Sequence, residues 1–321
     1  MLKKTGGFSM SNRRTFIRQT VLGGGALALG MFPHELLASG DLKRLTIMHT
    51  NDMHCHIDPY PESNAEYPGR GGLVRIASVV AQARKENPNL LLLDAGDMFQ
   101  GTPYFNYFKG DLMLKLMSRM GYDAGTIGNH EYDNGLEGIS SALKYAQFPI
   151  ISSNYDFTDT ILADKVKSCH ILKKNNIKIG IYALGIELEG LVDPKNFGNT
   201  RYIDPVDTAI KMERFLKLDQ SCDLVIALSH LGLKYEHPKI SDVTLAPLTR
   251  HTDLIIGGHT HSFLDKPLEF KNADGHPILV NQAGWAALAI GKLDFIFDRE
   301  GRKKTIVTKI NNLQDTAYGP Q

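Results

Sequence analysis

Asp52 and His54 stand two residues apart just after an apolar run, and His259 and His261 repeat that spacing far along the chain. Between them lie Gly96-Asp97, Gly128-Asn129-His130-Glu131 and Ser229-His230, each again behind an apolar run or its immediate turn. Loops at strand ends are where a rigid scaffold presents functional groups. On an extended backbone, residues two apart point to one face. Glycines beside Asp97, before Asn129 and twice before His259 permit tight turns and close backbone approach. If these segments converge, the imidazoles of His54, His230, His259 and His261, the carboxylates of Asp52 and Asp97 and the carboxamide of Asn129 supply mixed oxygen and nitrogen ligation. One carboxylate shared between two ions reduces their repulsion and holds them roughly 3.5–4 Å apart. Such a set suits two divalent metal ions, whether manganese, zinc, iron, magnesium or calcium, and lacks the thiolates of a structural zinc site. For any single Asp or His an ordinary structural role explains as much. The five segments together point to metal.

The ordered set Asp-x-His, Gly-Asp, Gly-Asn-His-Glu, a lone His and Gly-His-x-His resembles the calcineurin-like metallophosphoesterase superfamily. More closely, with Gly128-Asn129-His130-Glu131-Tyr132-Asp133, it resembles the N-terminal catalytic domain of the 5′-nucleotidase family, over roughly Leu45 to Ala289. The resemblance implies an α/β fold, a four-layer α/β/β/α sandwich with two mixed sheets. It implies that Asp52, His54 and His261 hold one metal, that Asn129, His230 and His259 hold the second, and that Asp97 bridges them. It also implies that His130 touches the substrate phosphate and that Asp133 orients it. Two cations so placed lower the pKa of a bound water, and the hydroxide attacks phosphorus in line with the leaving oxygen. His130 stabilises charge on phosphate and protonates the departing alkoxide.

The implied activity is hydrolysis of phosphate monoesters, with nucleotides as the leading substrate class. Two alternatives stand beside it: a phosphodiesterase or 2′,3′-cyclic-nucleotide hydrolase using the same metals, and a metal-stabilised binding or scaffold module. The intact donor set and the His130–Asp133 pair argue against the module. In the family, a further C-terminal domain commonly holds the nucleotide base with aromatic side chains. Only sixty residues follow His261, and the strand-rich stretch through Ile310 finishes the catalytic sheets. The expectation is therefore a chain without that domain: broad in substrate, or recognising another ester with its own loops, or completed by a separate partner chain, with the first and last favoured.

Several neighbouring residues have blander readings. Cys55 and His56 are discounted as ligands because Asp52 and His54 already fill the face the motif requires. Asp94 reads as a turn residue or a group behind the ligands. Gly69-Arg70-Gly71-Gly72 precedes a helix but lacks the spacing and lysine of a phosphate-binding loop. Thr102, Pro103, Tyr104, Phe105 and Tyr107 form an aromatic patch for which core packing is the default, with a substrate wall as the alternative. The Gly/Asn/Pro-containing stretch 187–200 reads as a rim loop, and His237, His251 and His276 stand without partners.

The elements that must position the donors are legible in the apolar periodicity. Leu45–Met48, Leu90–Leu93, Leu224–Leu228 and Leu254–Ile256 read as short buried strands. Leu73, Ile76, Val80 and Ala83 recur at helical spacing. A second helix spans Asp111–Met120 with Gly121 as its stop, and a third runs from Asn134 to Tyr145. A fourth is capped by Asp204 with Pro205 at its first position. Val166–Leu172 and Ile177–Leu184 flank Asn175-Asn176, a hairpin signal. Ile278–Val280, Ala287–Phe297 and Lys304–Ile310 complete a strand-rich tail.

Residues 1–40 read as an export signal and 41–321 as one catalytic domain. Asn12-Arg13-Arg14-Thr15-Phe16-Ile17-Arg18 resembles a twin-arginine signal, an address for substrates that cross the membrane folded. The apolar stretch Val21–Phe32 is too short for a span of about 20 residues, so no transmembrane segment remains once the leader is removed. A periplasmic or other extracytoplasmic destination follows, and an uncleaved leader leaves a short membrane anchor. Cys55, Cys169 and Cys222 are an odd and scattered set, which argues for buried thiols rather than a disulfide framework. Basic and acidic residues number 36 and 35, giving no reason to expect nucleic acid as the main partner. The partner implied is instead a phosphorylated small molecule.

Overall fold

Leu45 and Ile47 face one core while Met48 faces another, and this period of two builds the layers of the molecule. The structure, a computed structural model, describes residues 42–298 and the backbone of residues 303–312. The segment read as an export signal lies outside the described residues. The chain begins β1 (Leu42–Thr50), α1 (Leu73–Glu86), β2 (Leu91–Asp94), α2 (Pro103–Phe108), α3 (Asp111–Met120), β3 (Ala124–Thr126), α4 (Gly135–Ala142), β4 (Ile150–Ile151) and β5 (Tyr155–Asp156). It continues β6 (Cys169–Lys174), β7 (Ile177–Gly185), α5 (Pro194–Phe197), β8 (Arg201–Tyr202), α6 (Pro205–Arg214), β9 (Leu224–His230) and α7 (Asp242–Leu245). It closes with β10 (Leu254–Gly257), β11 (Leu268–Lys271), β12 (Pro277–Asn281), β13 (Ala289–Asp298) and β14 (Lys303–Asn312).

Two six-stranded sheets result, ordered β14-β13-β1-β2-β3-β4 and β11-β12-β10-β9-β7-β6. Both are mixed: β1, β2, β3 and β4 run parallel, β13 lies antiparallel to β1 and β14 antiparallel to β13, while β7, β9, β10 and β12 run parallel between antiparallel edges. Leu45, Ile47, Leu91 and Leu93 meet Ile179, Ile181, Ile226 and Ile256 between the sheets. Each such side chain removed from water contributes ~1.5–3 kcal/mol, so this inner layer is a major source of stability. The outer face of the first sheet packs on α1, α3 and α4 through Ile76, Val80, Leu114, Met117 and Ile139. The outer face of the second packs on α6 and α7 through Ala209, Met212 and Leu245. Helix, sheet, sheet, helix is the four-layer order expected.

Local signals act where they were read. Asn175 and Asn176 both take positive φ (50° and 60°) in the β6–β7 hairpin, which asparagine tolerates. Gly121 ends α3 in the left-handed conformation, and the Asp204 side chain accepts the N–H groups of Val206 and Asp207. Other expectations need correction. The helix expected from Asn134 to Tyr145 is α4 flanked by 3-10 turns at His130–Asn134 and Leu143–Tyr145. The aromatic patch after Asp97 is the short helix α2, of which only Phe105 is fully buried; Tyr107 is 82% exposed. Six residues form fewer than two turns, so one ring reaches the core and the rest stay outside. Cys55 and Cys222 are buried, Cys169 is half-buried, and all three are free thiols. No helix among the described residues is long and apolar enough to cross a membrane.

Candidate metal centre

Every donor sits where a strand gives out. Asp52 and His54 follow β1, Asp97 follows β2, Asn129 follows β3, His230 ends β9, and His259 and His261 follow β10. These are the carboxyl ends of parallel strands, the edge at which open α/β sheets carry ligands. The backbone there is not extended, as the i, i+2 reading assumed. Asp52, His54, Asp97, His259 and His261 have φ of 49°, 48°, 53°, 72° and 53°, the left-handed region. The chain reverses as it leaves each strand, so the side chains converge by turning rather than by strand alternation. Each such residue is strained by ~1–3 kcal/mol, which its surroundings must offset. Backbone hydrogen bonds Asp52 N–H to Gly96 O (2.9 Å) and His54 N–H to Asp97 O (3.0 Å) do so, as does the Asp52 carboxylate, which accepts His259 N–H at 3.0 Å. Two glycines are required by this closeness. A Cβ on Gly96 would stand 2.8 Å from Gly128 N, and one on Gly258 would stand 2.9 Å from Ala95 O and His230 Nδ1.

Two groups of donors form. Asp52, His54 and His261 converge in one, and Asp97, His230 and His259 in the other, with ligand atoms within 4.8 Å of one another in each. In the first, His54 Nε2 faces His261 Nε2 at 3.1 Å, and His261 Nε2 lies 3.4 Å from Asp52 Oδ1. In the second, His230 Nε2 lies 3.0 Å from Asp97 Oδ2 and 3.9 Å from Asp52 Oδ1. Asn129 joins it, with Oδ1 2.8 Å from His259 Nδ1.

The donors fit a pair of cations. His230 Nε2 is fully buried and faces only the carboxylate oxygens of Asp97 at 3.0 Å and Asp52 at 3.9 Å, a place that favours a positive charge. Its other nitrogen, Nδ1, donates to Ala95 O at 2.7 Å, which turns Nε2 toward the carboxylates as the atom that would meet a metal. His54 Nδ1 is likewise placed at Phe99 O, 3.3 Å away. Burial pushes the pKa of His54 down and that of His259 down to about 4, keeping both rings in the neutral form that binds metal. Burial also opposes charge on His230, but Asp97, Asp52 and the Ala95 carbonyl outweigh it and raise its pKa to about 10. A proton there occupies the place between two carboxylates that a cation would take. Cys55 and His56 belong to neither group, and burial pushes the Cys55 thiol up to about 12.

At the rim, His130 Nδ1 is 2.9 Å from Asp133 Oδ2, and the His130 backbone N–H donates to Asp97 Oδ1 at 2.8 Å. The hydrogen bond that His130 donates to Asp133 raises the His130 pKa, assisted by Asp97, while partial burial opposes it. Asp94 is fully buried behind the ligands, accepting from Thr50 Oγ1 at 2.6 Å and Gly96 N–H at 2.9 Å. Burial raises its pKa well above the usual carboxylate range.

Three supporting residues escape a reading of the sequence by type and spacing. Glu131 accepts three backbone N–H groups, those of Asp97, Phe99 and Gly128. Asn51 donates to Asp52 Oδ2 at 2.7 Å and to Gly284 O at 2.6 Å. Gln282 donates to Gly258 O at 2.6 Å and accepts from Ser262 N–H, holding the loop that bears His259 and His261. Glu131 and Asn51 at least stand inside or beside the motifs; Gln282 gives no local signal.

A family model for calcineurin-like phosphoesterases matches residues 45–263, and the chain belongs to that family. It is 33% identical over 288 residues to a snake venom 5′-nucleotidase of Gloydius brevicauda, covering 83% of this chain and 47% of that protein. The structure superposes on a 5′-nucleotidase precursor of Thermus thermophilus with a TM-score of 0.75 at 30% identity, covering 84% of this chain and 54% of the other. The corresponding figures for an NAD nucleotidase of Haemophilus influenzae are 0.73 and 28%, with 84% and 50% covered. The chain spans about half the length of the curated relatives it matches.

Proposed function

We propose that the chain hydrolyses phosphate monoesters, with nucleotides as the leading class, using two divalent cations. The observation that carries this reading is the pair of donor groups around Asp52 and Asp97, with the His130–Asp133 pair beside them at the rim. In this reading Asp52, His54 and His261 hold one cation, Asn129, His230 and His259 hold the other, and Asp97 serves both. When bound, such a pair supplies a water with its pKa lowered to ~7 and positive charge for phosphate oxygens. His130 does the rest of the acid chemistry. Asp133 accepts a hydrogen bond from Nδ1–H, which directs the Nε2 proton of the imidazolium toward a phosphate oxygen or the departing alkoxide. The names of the relatives, 5′-nucleotidase and NAD nucleotidase, support nucleotides as the class. Phosphate contacts are common to every nucleotide, so these residues alone select little among bases.

The test is metal-dependent release of phosphate from adenosine 5′-monophosphate and p-nitrophenyl phosphate by the full chain. Turnover of bis-p-nitrophenyl phosphate without turnover of either monoester would reassign the reaction to diesters. Export to the periplasm in the folded state is the second part of the reading, supported by Arg13 and Arg14 in their twin-arginine context. Replacing both with lysine strands the precursor in the cytoplasm; normal export of that variant removes this part.

A further inference from the structure

Trp285 is the chain's single tryptophan, and it lies flush against a donor of the candidate centre. Its ring and that of His261 are parallel within 2°, with centroids 5.1 Å apart. It stands edge-on to His54 at 6.4 Å and to His56 at 6.1 Å. From His56 the aromatic surface continues to Tyr60 at 4.8 Å and on to Tyr67 at 5.5 Å. Trp285, His56, Tyr60 and Tyr67 are all only half-buried and belong to none of the three apolar cores. Core packing therefore does not account for them.

The turn that carries Trp285 has a strained backbone tied to both donor loops. Ala286 and Ala287 take φ of 52° and 53°, a conformation alanine avoids and glycine does not. The segment is fixed from both metal loops: Ala286 N–H donates to Asp52 O at 2.8 Å, and Gly284 N–H donates to Ser262 O at 2.9 Å. Strain retained beside an active centre calls for a use.

We propose that Trp285, with Tyr60 and Tyr67, is a platform for the planar aromatic part of the phosphoester, so that a nucleobase or aryl ester binds in preference to an aliphatic one. The proposal rests on the phosphoesterase reading above and extends it to the substrate's far end. Stacking is worth ~1–3 kcal/mol per base and is indifferent to which base, because each has a π face. The platform therefore separates aromatic from aliphatic phosphoesters without choosing among nucleotides.

Because the chain has one tryptophan, its fluorescence reports on this ring directly. Adenosine, which carries no phosphate, is expected to quench it saturably in the full metal-loaded chain, and ribose is not. In kinetics, Trp285→Ala is expected to raise KM for adenosine 5′-monophosphate about tenfold and leave ribose 5-phosphate within about twofold, while Trp285→Phe keeps most of the preference. Phenyl phosphate following the nucleotide extends the platform to any planar ring; a response confined to nucleotides restricts it to bases. Equal loss on both esters shows that Trp285 only holds His261 and overturns the proposal, as does absence of quenching by adenosine. If the wild type hydrolyses none of these esters, the phosphoesterase reading fails, and adenosine quenching still decides the platform.

Discussion

Glu131 Oε2 accepts the backbone N–H of Asp97 at 2.9 Å and that of Gly128 at 2.7 Å, while Oε1 accepts Phe99 N–H at 3.0 Å. One buried carboxylate thus ties the loop after β2 to the loop after β3. Glu131→Gln turns an amide N–H₂ toward one of these donors and leaves buried N–H groups unpaired, at ~1–3 kcal/mol. The urea midpoint should fall by a corresponding amount, and bound metal should fall with it. A variant unchanged in both would show that the junction holds without this residue.

Asp97 contributes one oxygen to His130 N–H and the other to the His230 side of the centre. Asp97→Ala is expected to lose most bound metal and nearly all activity, since the cations lose their common anion. Elemental analysis decides this. Two full equivalents retained in the variant would refute the placement of Asp97 between the ions.

His130 stands outside both donor groups, so chemistry and assembly are separable there. His130→Asn should keep both cations and slow the chemical step by about 10²–10⁴-fold. The Asp133 hydrogen bond raises the His130 pKa, so the protonated, acid-competent ring persists to higher pH. Asp133→Asn removes that support, and the alkaline limb of the kcat profile should move to lower pH. A limb that stays in place would separate His130 from the proton transfer.

His49 on β1 and Asn281 on β12 join the two sheets, the Asn281 amide donating to His49 Nε2 at 2.7 Å. Burial pushes the His49 pKa down to about 3. An unfolded histidine titrates near ~6.5, so as pH falls from there toward 3 the unfolded chain takes up the proton first and stability is lost. Between pH 7.5 and 4.5 the wild type should lose roughly 2–3 kcal/mol more than His49→Gln, which keeps an acceptor without a titrating ring. Denaturant midpoints of the metal-free chains at the two pH values measure it; parallel losses would assign the acid sensitivity elsewhere.

Strands such as Leu224–Leu228 were readable because a parallel strand covered on both faces must be apolar throughout. Helix α3 was readable because Gly121 is a stop that acts locally. Strands β3, β4 and β11 were not, since two to four residues carry no period and form only against neighbours already in place. Helix α2 hid behind its own rings, whose number suggested a core that six residues cannot build.

The sequence by itself determined which side chains are available for ligation. Only a few residue types offer oxygen or imidazole donors, and their order along the chain limits where they can stand. The tertiary structure decided how they meet. The left-handed turns at Asp52, His54, Asp97, His259 and His261 are set by hydrogen bonds between loops, not by any residue's own preference. The reach of Glu131 across two loops and the face of Trp285 laid on His261 have the same origin. Contacts between segments far apart in the chain leave no local period or spacing, so they exist only once the strands that carry them have assembled.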